Sequence, residues 1–598
     1  MVVYRNIGRY AAATFLALIF GATAFAQDGG SLPTEDEKED PGKVKFNGLG
    51  RVILQQSGID GDILENDTTT ARTTTDGEFL LDLKINANPN DKTEVQSILR
   101  LRNEFGGFFG AGQSIEIREL WARGIIANAI EYRVGDMDIA MSPYTFNLAD
   151  EEGTVFEPAA FQPQKDVIYY EQFYGPNNER RMQGADLNFG LKFNRILYDM
   201  DFRGFMARVR GTDFFTVPTR WVSGGSMKFS TEQFGDSVNA RGKFGFNIVH
   251  TFDDLQSGEA NSGIRNTVYT FDYDVIAYEN KRYAFHILGE AGKSDLVSKN
   301  DSVTFYSSDD TFLDISLKVD FKPQNLSVSA GFVNVGPEFF SIGAQSKRVD
   351  FEAEKTYYDR AGESQSRRQV TMFDLTRDRS IYTFELSDKL MAYDPRFSNA
   401  LPYGKATPNR RGATLAAEYG NDEKKVEAQF DGAFLQEIRG QGTTELKNFT
   451  LLQVAAGLNI HRFLDWQNHL RFTLGYKFEQ TDRGGVDVEQ VDLQSNLLDI
   501  GLEAEIFRNF EVLVGAKILQ AEGSDYIPRI DEFNIVSDFP GRYVVDDVET
   551  LLAGGVRYNF KKDIYLTLQY HSFAAQRNTD DFKNYRLDQV FLLYTMKF

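Results

Sequence analysis

Apolar and polar residues alternate along most of this chain. Between Phe79 and Ile85, for example, apolar side chains recur at every second position, and the charged residues Asp82 and Lys84 lie between them. Successive side chains of a β-strand point to opposite faces of a sheet, so this pattern predicts strands with one apolar and one polar face. The same alternation recurs in segments that begin at Leu313, Val426, Leu498 and Ile564.

The predicted strands are long, and short turns alternate with longer polar loops between them. Many runs of alternation cover about ten to fifteen residues, whereas strands of globular proteins average about five or six. A tilted strand needs about nine to eleven residues to cross a bilayer. Short turns are expected at residues 88–92, 126–129, 194–195, 279–282, 322–325, 420–424, 508–509 and 561–563, and longer loops at 59–75, 253–264, 293–310, 521–541 and 577–584.

This pattern gives about 22 strands, within a range of roughly 18 to 24. Short turns at one membrane face and long loops at the other place both termini on the same side, which requires an even strand number. The expected fold is all-β, a transmembrane antiparallel up-and-down β-barrel over residues 43–598. The predicted strand starts lie near residues 43, 77, 93, 114, 129, 182, 196, 219, 238, 266, 282, 311, 325, 411, 424, 446, 467, 490, 510, 546, 563 and 585.

The first 42 residues are expected to lie outside the barrel. Two basic residues, Arg5 and Arg9, precede the apolar run Ala11–Phe20, and the small-residue motif Ala24-Phe25-Ala26 follows. This order predicts a secretory signal peptide over residues 1–26. Residues 27–42 are polar and acidic, which predicts a disordered periplasmic tail.

The last ten residues, Gln589–Phe598, form one more alternating strand. Its final residue is aromatic, and Leu593 and Phe591 are apolar exceptions on its otherwise polar face. This ending resembles the closing strand of Gram-negative outer-membrane β-barrels. The resemblance implies an outer-membrane location with both termini periplasmic. The strand should then pair with residues 43–56 to close the sheet, with Val52 and Leu592 near the seam.

Composition narrows the possible functions. Lys and Arg number 65 against 87 Asp and Glu, a formal net charge of -22, and nucleic-acid binding is disfavoured because a phosphate-binding surface must be basic. The 50 Phe, 27 Tyr and 51 Gly suit a barrel, although composition alone also fits a secreted acidic β-rich protein. The absence of cysteine excludes disulfides and thiolate sites.

Two connections, residues 139–181 and 339–410, are much longer than the others and rich in aromatic residues. Loops longer than about 15 residues are usually functional or disordered, and the aromatic content argues against disorder. One or both connections are expected to fold into the lumen and narrow it; the alternative is a structured cap above the membrane. The candidate constriction-loop residues are Tyr144, Phe146, Tyr169, Tyr170, Tyr357, Tyr358, Arg367 and Arg368.

Charged residues of both signs occupy predicted lumen positions. They would either set up a transverse field that orients dipolar solutes or pair with one another along adjacent strands. The segment Ile115–Asp138 is similar to the hairpin that precedes an inward loop in specific porins and polysaccharide-export barrels, and this likeness adds residues 118, 119, 123, 133 and 136. The pore-lining candidates are Arg100, Arg102, Glu104, Arg118, Glu119, Arg123, Arg133, Asp136, Asp199, Asp201 and Arg203. Glu119 and Arg123 differ in parity from Arg118 and can join it only across a bulge or near a strand end.

Enzymatic activity is not expected. The five histidines are scattered, and the metalloprotease, nucleophile-elbow and P-loop motifs are absent. His571 and Ser572 are adjacent, which places them on opposite faces of a strand. No cofactor or metal site is expected, although acidic loop clusters around Asp60, Asp309 and Asp525 could bridge divalent cations to lipopolysaccharide, with solvated loop charge as the alternative.

The preferred interpretation is a porin-like channel for diffusion or export of small polar solutes, with a pore narrowed by the inward loops. The alternatives are a plugged structural or accessory subunit of an outer-membrane assembly or secretion complex, third, a barrel hydrolase and, fourth and least favoured, energised uptake. The expected partners are outer-membrane lipid and lipopolysaccharide, the barrel-assembly machinery and other outer-membrane proteins, without nucleic acid.

Overall fold

The computed structural model is a closed antiparallel β-barrel of 22 strands. Each barrel strand pairs with the next barrel strand along the chain, and the first also pairs with the last, so the sheet has no free edge. The structure describes residues 44–62, 72–104, 113–149, 156–172, 177–193, 197–211, 218–231, 240–254, 262–300, 303–346, 348–349, 382–383, 390, 393, 395–421, 424–527, 540–579 and 584–598.

The elements are numbered in chain order, and the barrel consists of every strand except β6 and β15–β18. The strands are β1 (Val44–Gly61), β2 (Thr73–Asn90), β3 (Thr93–Glu104), β4 (Gln113–Ile126), β5 (Ile130–Ile139), β6 (Asn147–Ala149), β7 (Arg180–Lys192), β8 (Leu197–Arg210), β9 (Thr219–Thr231), β10 (Arg241–Asp254), β11 (Ser262–Glu279), β12 (Tyr283–Asn300), β13 (Val303–Phe321), β14 (Leu326–Val335), β15 (Ala344–Ser346), β16 (Arg348–Val349), β17 (Tyr382–Thr383), β18 (Pro402–Lys405), β19 (Arg410–Gly420), β20 (Val426–Gln436), β21 (Asn448–Asn459), β22 (Leu470–Arg483), β23 (Val491–Phe507), β24 (Phe510–Ile527), β25 (Gly541–Lys561), β26 (Ile564–Arg577) and β27 (Tyr585–Lys597). The helices are α1 (Gln162–Gln172), α2 (Ile460–Phe463) and a 3₁₀ turn (Lys322–Gln324).

The strand count predicted from the alternation is confirmed, and every predicted start lies within eight residues of the observed one. The loop expected at residues 293–310 is wrong, because β12 and β13 continue through it as a paired hairpin, with Ser294 opposite Asp310. Beyond the lipid neither face needs apolar side chains, so backbone pairing continues there without the alternation that marks a membrane strand.

The outer surface of the barrel is apolar. Phe79, Leu317 and Phe332 are among its large exposed side chains, whereas Asp82, which lies on the opposite face of β2 from Phe79, is only 1% exposed. The predicted division into an outward apolar face and an inward polar face is therefore confirmed, and it gives the barrel a lipid-facing belt. Among the helices of the described ranges, none combines the length and apolarity that crossing a membrane requires.

Tight turns lie at the end of the barrel where β1 begins and β27 ends, which we call the turn end. Asn128, Asn325 and Asn509 adopt positive φ angles of 59°, 47° and 67° at the turns that follow β4, β13 and β23. Asparagine tolerates this left-handed conformation better than most residues, which explains why it recurs there. The turn expected at residues 194–195 lies outside the described residues.

The seam joins β1 to β27. Leu54 lies opposite Leu592, and Val52 lies opposite Tyr594, so the expected neighbours Val52 and Leu592 are two residues apart in register. The amide of Gly48 donates to the carbonyl of Phe598 at 2.9 Å, and the amide of Phe598 donates back at 3.1 Å. These bonds extend the closure to the last residue of the chain.

Candidate functional site

The two long connections meet inside the barrel. Strand β6 of the first pairs in parallel with β15 of the second, and the amide of Asn147 donates to the carbonyl of Gly343 at 3.0 Å. We call their described inward parts, residues 140–149, 156–172, 336–346 and 395–409, the plug. Their position agrees with the expected inward folding and not with a cap above the membrane.

Apolar contacts hold the plug against one side of the wall. Tyr144 stacks on Phe312 of β13 with ring centroids 3.9 Å apart, and its hydroxyl donates to Asp314 at 3.0 Å. Phe146 packs in a second cluster with Met137 and Phe205. Tyr144 is 1% exposed and Phe146 is fully buried, so in this conformation these two constriction candidates fill the lumen and line no open passage.

Helix α1 lies against the opposite side of the wall. Phe161, just before the helix, packs with Leu513 of β24 and with Phe397 of the other inward connection. Val167 packs with Leu593 and Phe591 of β27. These contacts explain why the last strand carries apolar side chains on its polar face: they meet the helix and not water.

Four arginines of the wall surround the carboxylate of Glu171 near the end of α1. Its oxygens lie 2.6 Å from Arg51, 2.7 Å from Arg100, 2.7 Å from Arg102 and 3.9 Å from Arg118. The Glu171 side chain is only 4% exposed. We call these four residues, which come from β1, β3 and β4, the arginine clamp.

Acidic wall residues balance part of the clamp. Asp82 accepts two hydrogen bonds from Arg100, at 2.8 and 2.7 Å, and a third from the hydroxyl of Tyr170 at 2.5 Å. Arg118 stacks on the Tyr170 ring, with its guanidinium carbon 3.8 Å from the ring centroid, and donates to the Tyr170 carbonyl. Tyr170 is therefore fixed to the wall beside Glu171.

The surroundings of Glu171 favour its charged form. Burial opposes ionisation, but the guanidinium groups of Arg51, Arg100 and Arg118 outweigh that effect and lower the pKa of Glu171 to about 2. A carboxylate with such a pKa is ionised at any physiological pH. Glu171 therefore keeps its negative charge at physiological pH, and we call its ion pairs with the barrel the ionic lock of α1.

The predicted bulge in β4 is present. The register between β3 and β4 shifts at Arg118, so that Ile98 lies opposite Glu119 and Leu99 lies opposite Ile117. Arg118 and Glu119 consequently share the lumen face. Glu119 accepts hydrogen bonds from Gln96 at 2.7 Å and from Arg181 at 2.6 Å.

The other pore-lining candidates of β4 and β5 lie where these two strands pair with each other. Arg133 lies over the ring of Trp121 and reaches Glu119 at 4.0 Å. Asp136 is 5% exposed and accepts a hydrogen bond from the amide of Leu120 at 2.6 Å, which binds it to the neighbouring strand. Arg123 is 61% exposed and pairs with Glu94 near the turn end of the barrel, where β1 begins and β27 ends.

The candidates of β8 face a more open part of the lumen. Asp199 accepts a hydrogen bond from the amide of Ser230, Arg203 pairs with Asp186 at 2.7 Å, and Asp201 is exposed. The pairing of charges along adjacent strands, one of the two expected arrangements, thus occurs here and in the clamp. Four candidates lie outside the described residues, and so does the side chain of a fifth: Tyr357, Tyr358, Arg367, Arg368 and Glu104.

Ionisable side chains on β8–β13 remain in contact with solvent inside the barrel. Asp274 is 47% exposed and Lys318 is 36% exposed, and they lie on the lumen side because alternate neighbours such as Leu317 face outward. The other members, which are also exposed, are Asp201, Lys228 and Lys243. We call these five residues the charged wall; they lie towards the turn end of the barrel, where β1 begins and β27 ends.

A second ionic anchor, which the sequence pattern did not reveal, joins the plug to β25. Arg396 lies 2.8 Å from Asp547 and 2.9 Å from Glu549, and all three side chains are at most 4% exposed. Next to it, Lys477 of β22 donates to the carbonyl of Phe397 at 2.6 Å. The alternation pattern could have placed Asp547 and Glu549 on the lumen face. Their partner Arg396, however, lies about 150 residues away along the chain, so the sequence pattern does not reveal the pairing.

The described residues offer no metal site, since no three of their His, Asp or Glu side chains converge suitably. His571 faces the lumen, where its Nε2 lies 3.0 Å from the amide nitrogen of Gln164 and 3.1 Å from the amide oxygen of Gln569. Asp525, expected in a solvated loop cluster, is instead 1% exposed and pairs with Lys447 at 2.6 Å. The expectation that Asp525 lies in a loop was wrong, because β24 extends to Ile527 and includes it.

Comparisons with known proteins add a general likeness. No protein-family model matches the chain, and no curated protein matches it. Among solved structures, the unliganded ferric citrate transporter FecA has 10% identity and a TM-score of 0.46, with 92% of this chain and 78% of that chain covered. The ferric-catecholate import receptor Fiu of E. coli K12 has 9% identity and a TM-score of 0.44, with 92% and 82% covered. OccK5 of Pseudomonas aeruginosa has 9% identity and a TM-score of 0.33, with 92% and 98% covered.

At such identities and TM-scores, these likenesses assign neither a family nor a function. The barrel itself provides the firmer ground, since its closed sheet leaves no unpaired edge and its outer face is apolar. The chain is a closed 22-stranded β-barrel of the outer-membrane type.

Proposed function

We propose that this chain is an outer-membrane transport barrel, a channel for small polar solutes whose passage its own plug controls. The observation that carries the proposal is the charged wall, where five ionisable side chains remain exposed inside the barrel. A polar passage needs such groups to replace water around a solute.

The proposal assigns the gating movement to α1. Apolar clusters hold the part of the plug around Tyr144, whereas the end of α1 is held by the ion pairs of Glu171 and by the hydrogen bond that Tyr170 donates to Asp82. A buried ion pair contributes little net free energy, because desolvation offsets most of the attraction. The helix end is therefore the part of the plug that separates from the wall most readily.

A planar-bilayer experiment tests this function. Because the chain contains no cysteine, cysteines placed at Val167 and Leu593, which pack in one cluster, are the only thiols present. We expect discrete conductance steps that disappear when this pair is oxidised and return on reduction. A matched control pair at Leu54 and Leu592, in the seam, should cross-link without changing conductance.

A structural or accessory role is the second candidate, favoured by the large apolar clusters that fill much of the lumen. This structural role predicts that neither the reduced Val167 and Leu593 cysteine variant nor the Glu171→Gln variant conducts. It also predicts that neighbouring proteins co-purify with the barrel after gentle detergent extraction. Silent but heat-modifiable, folded barrels in both cases would overturn the channel proposal.

We further propose that the termini face the periplasm, where the short turns of such barrels lie. Lipopolysaccharide, the barrel-assembly machinery and other outer-membrane proteins remain the proposed partners. We propose no catalytic activity; esterase and phospholipase assays on the purified barrel test that statement directly.

A further inference from the structure

We propose that the arginine clamp is a binding site for a carboxylate-bearing solute, and that Glu171 occupies this site as a tethered competitor. The inference rests on the proposed channel function, for which it names the class of solute. It concerns one feature, the convergence of Arg51, Arg100, Arg102 and Arg118 on a single carboxylate.

The burial of the clamp supports the site. The side chains of Arg51, Arg100 and Arg118 are at most 6% exposed. In the described part of the chain, the clamp contacts two wall carboxylates, those of Glu78 and Asp82, and the plug adds Glu171. Buried guanidinium groups are costly unless anions pair with them, and in the closed barrel Glu171 is one such anion.

The donors are arranged to hold both oxygens of a carboxylate. Oε1 of Glu171 accepts from Arg51 at 2.6 Å and from Arg100 at 3.3 Å, and Oε2 accepts from Arg100 and Arg102, each at 2.7 Å. Planar guanidinium groups bind carboxylates in this forked geometry. A free carboxylate of similar size could accept the same four bonds.

Unused donors remain beside this pocket. Among the described residues, the Nε atoms of Arg51 and Arg102 are buried without a hydrogen-bond partner. A single glutamate supplies only two oxygens, which the other guanidinium nitrogens already occupy. A solute with a second carboxylate or a hydroxyl group would offer further acceptors, which favours a small dicarboxylate over a monocarboxylate.

Tethering decides how strongly Glu171 competes. A group attached to the same chain has an effective concentration in the millimolar range or above. Removing its charge should therefore raise the apparent affinity of the clamp for a free carboxylate on the order of tenfold or more. In the native chain, a solute would have to displace Glu171, which couples binding to release of α1.

Binding can be measured on the full-length barrel without any assumption about conduction. The probe is succinate, the neutral control is succinamide, and inorganic phosphate tests the competing anion class. The readout is the thermal unfolding midpoint of the Glu171→Gln variant in detergent, followed by the heat-modifiable shift in electrophoretic mobility. The matched control is Glu445→Gln, which removes the same charge from an exposed loop.

We expect succinate to raise the midpoint of Glu171→Gln at concentrations at least about tenfold lower than those needed for the native chain and for Glu445→Gln. Succinamide should have no effect. Adding Arg102→Gln, at the most exposed clamp residue, should abolish the succinate effect while the barrel still folds.

Three results would overturn the proposal: equal effects of succinate and succinamide, a response to phosphate alone, or a succinate effect that persists with Arg102→Gln. Bilayer recordings separate this inference from the channel function. A barrel that binds succinate but does not conduct would support the site and reject the channel. A barrel that conducts but shows no succinate effect would support the channel and reject the site.

Discussion

Replacing Arg396 by methionine should release the second inward connection from the wall. The substitution keeps a long apolar side chain but removes the guanidinium that lies 2.8 Å from Asp547 and 2.9 Å from Glu549, both at most 4% exposed. Glu549 keeps its ion pair with Arg577 at 3.2 Å, so the loss falls mainly on Asp547. Removing one partner of a buried ion pair costs about 3 to 5 kcal/mol. Since about 1.4 kcal/mol is a tenfold change in an equilibrium constant, the undocked fraction should rise roughly 100- to 4,000-fold.

Thiol labelling measures that fraction. A cysteine in place of Ser398, which is 5% exposed and two residues from Arg396, reacts with a membrane-impermeant maleimide only when the segment leaves the wall. In the regime where opening is fast, the labelling rate follows the undocked population. Arg396→Met should therefore accelerate labelling by the same factor, whereas the cysteine variant alone should label slowly.

The chain offers a matched control. Arg439 pairs with Glu338 at 2.6 Å, but both side chains are exposed, and an exposed ion pair contributes about 1 kcal/mol at most. Arg439→Met should change the labelling rate less than about fivefold. If Arg396→Met changes it no more than this control in a folded barrel, the anchor does not hold the plug, and the reasoning from burial is refuted.

Three further predictions test the seam, the lock and the packing. Cysteines at Leu54 and Leu592, directly opposite each other, should cross-link more efficiently than a pair shifted by one residue; equal yields on gels would contradict the register. The pKa of Glu171 is about 2 in the docked state against an ordinary value of 4.5, so its contribution to docking is complete above pH 4.5 and declines as the pH falls towards 2. Labelling of a cysteine at residue 167, expressed relative to an exposed reference cysteine because the thiolate fraction itself falls with pH, should accelerate in that window, and Glu171→Gln should remove this component. Phe161→Ala should weaken docking by about 3 to 5 kcal/mol through lost packing, whereas Phe161→Leu should cost less than about 1.5 kcal/mol; urea titrations monitored by the same label distinguish the two.

Much of the wall could be predicted because its determinants are local. Alternation of apolar and polar residues marks the membrane strands. Asp82 is an odd number of positions from the outward-facing Phe79, and this alone places Asp82 on the lumen face. The bulge at Arg118 was one of two expected arrangements, since Arg118 and Glu119 could share a face only across a bulge or near a strand end. The polar hairpin of β12 and β13 was missed, because outside the lipid its alternation is lost.

The plug could be anticipated only as aromatic-rich loops with an inward preference. Helix α1 was missed, although Pro163 in its first turn is a recognised start signal. The apolar Leu593 and Phe591 had no explanation within their own strand until Val167 was found against them.

The sequence by itself therefore determined the strands, their faces, their number and the closure of the barrel. The reason is that every second side chain of a membrane strand faces lipid, and every backbone group must pair with a neighbouring strand. Only the tertiary structure decided which lumen charges meet. Glu171 reaches Arg51 across 120 residues of chain, and Arg396 reaches Asp547 across 151. Contacts of that kind depend on how loops return through the lumen, and no local periodicity encodes that path.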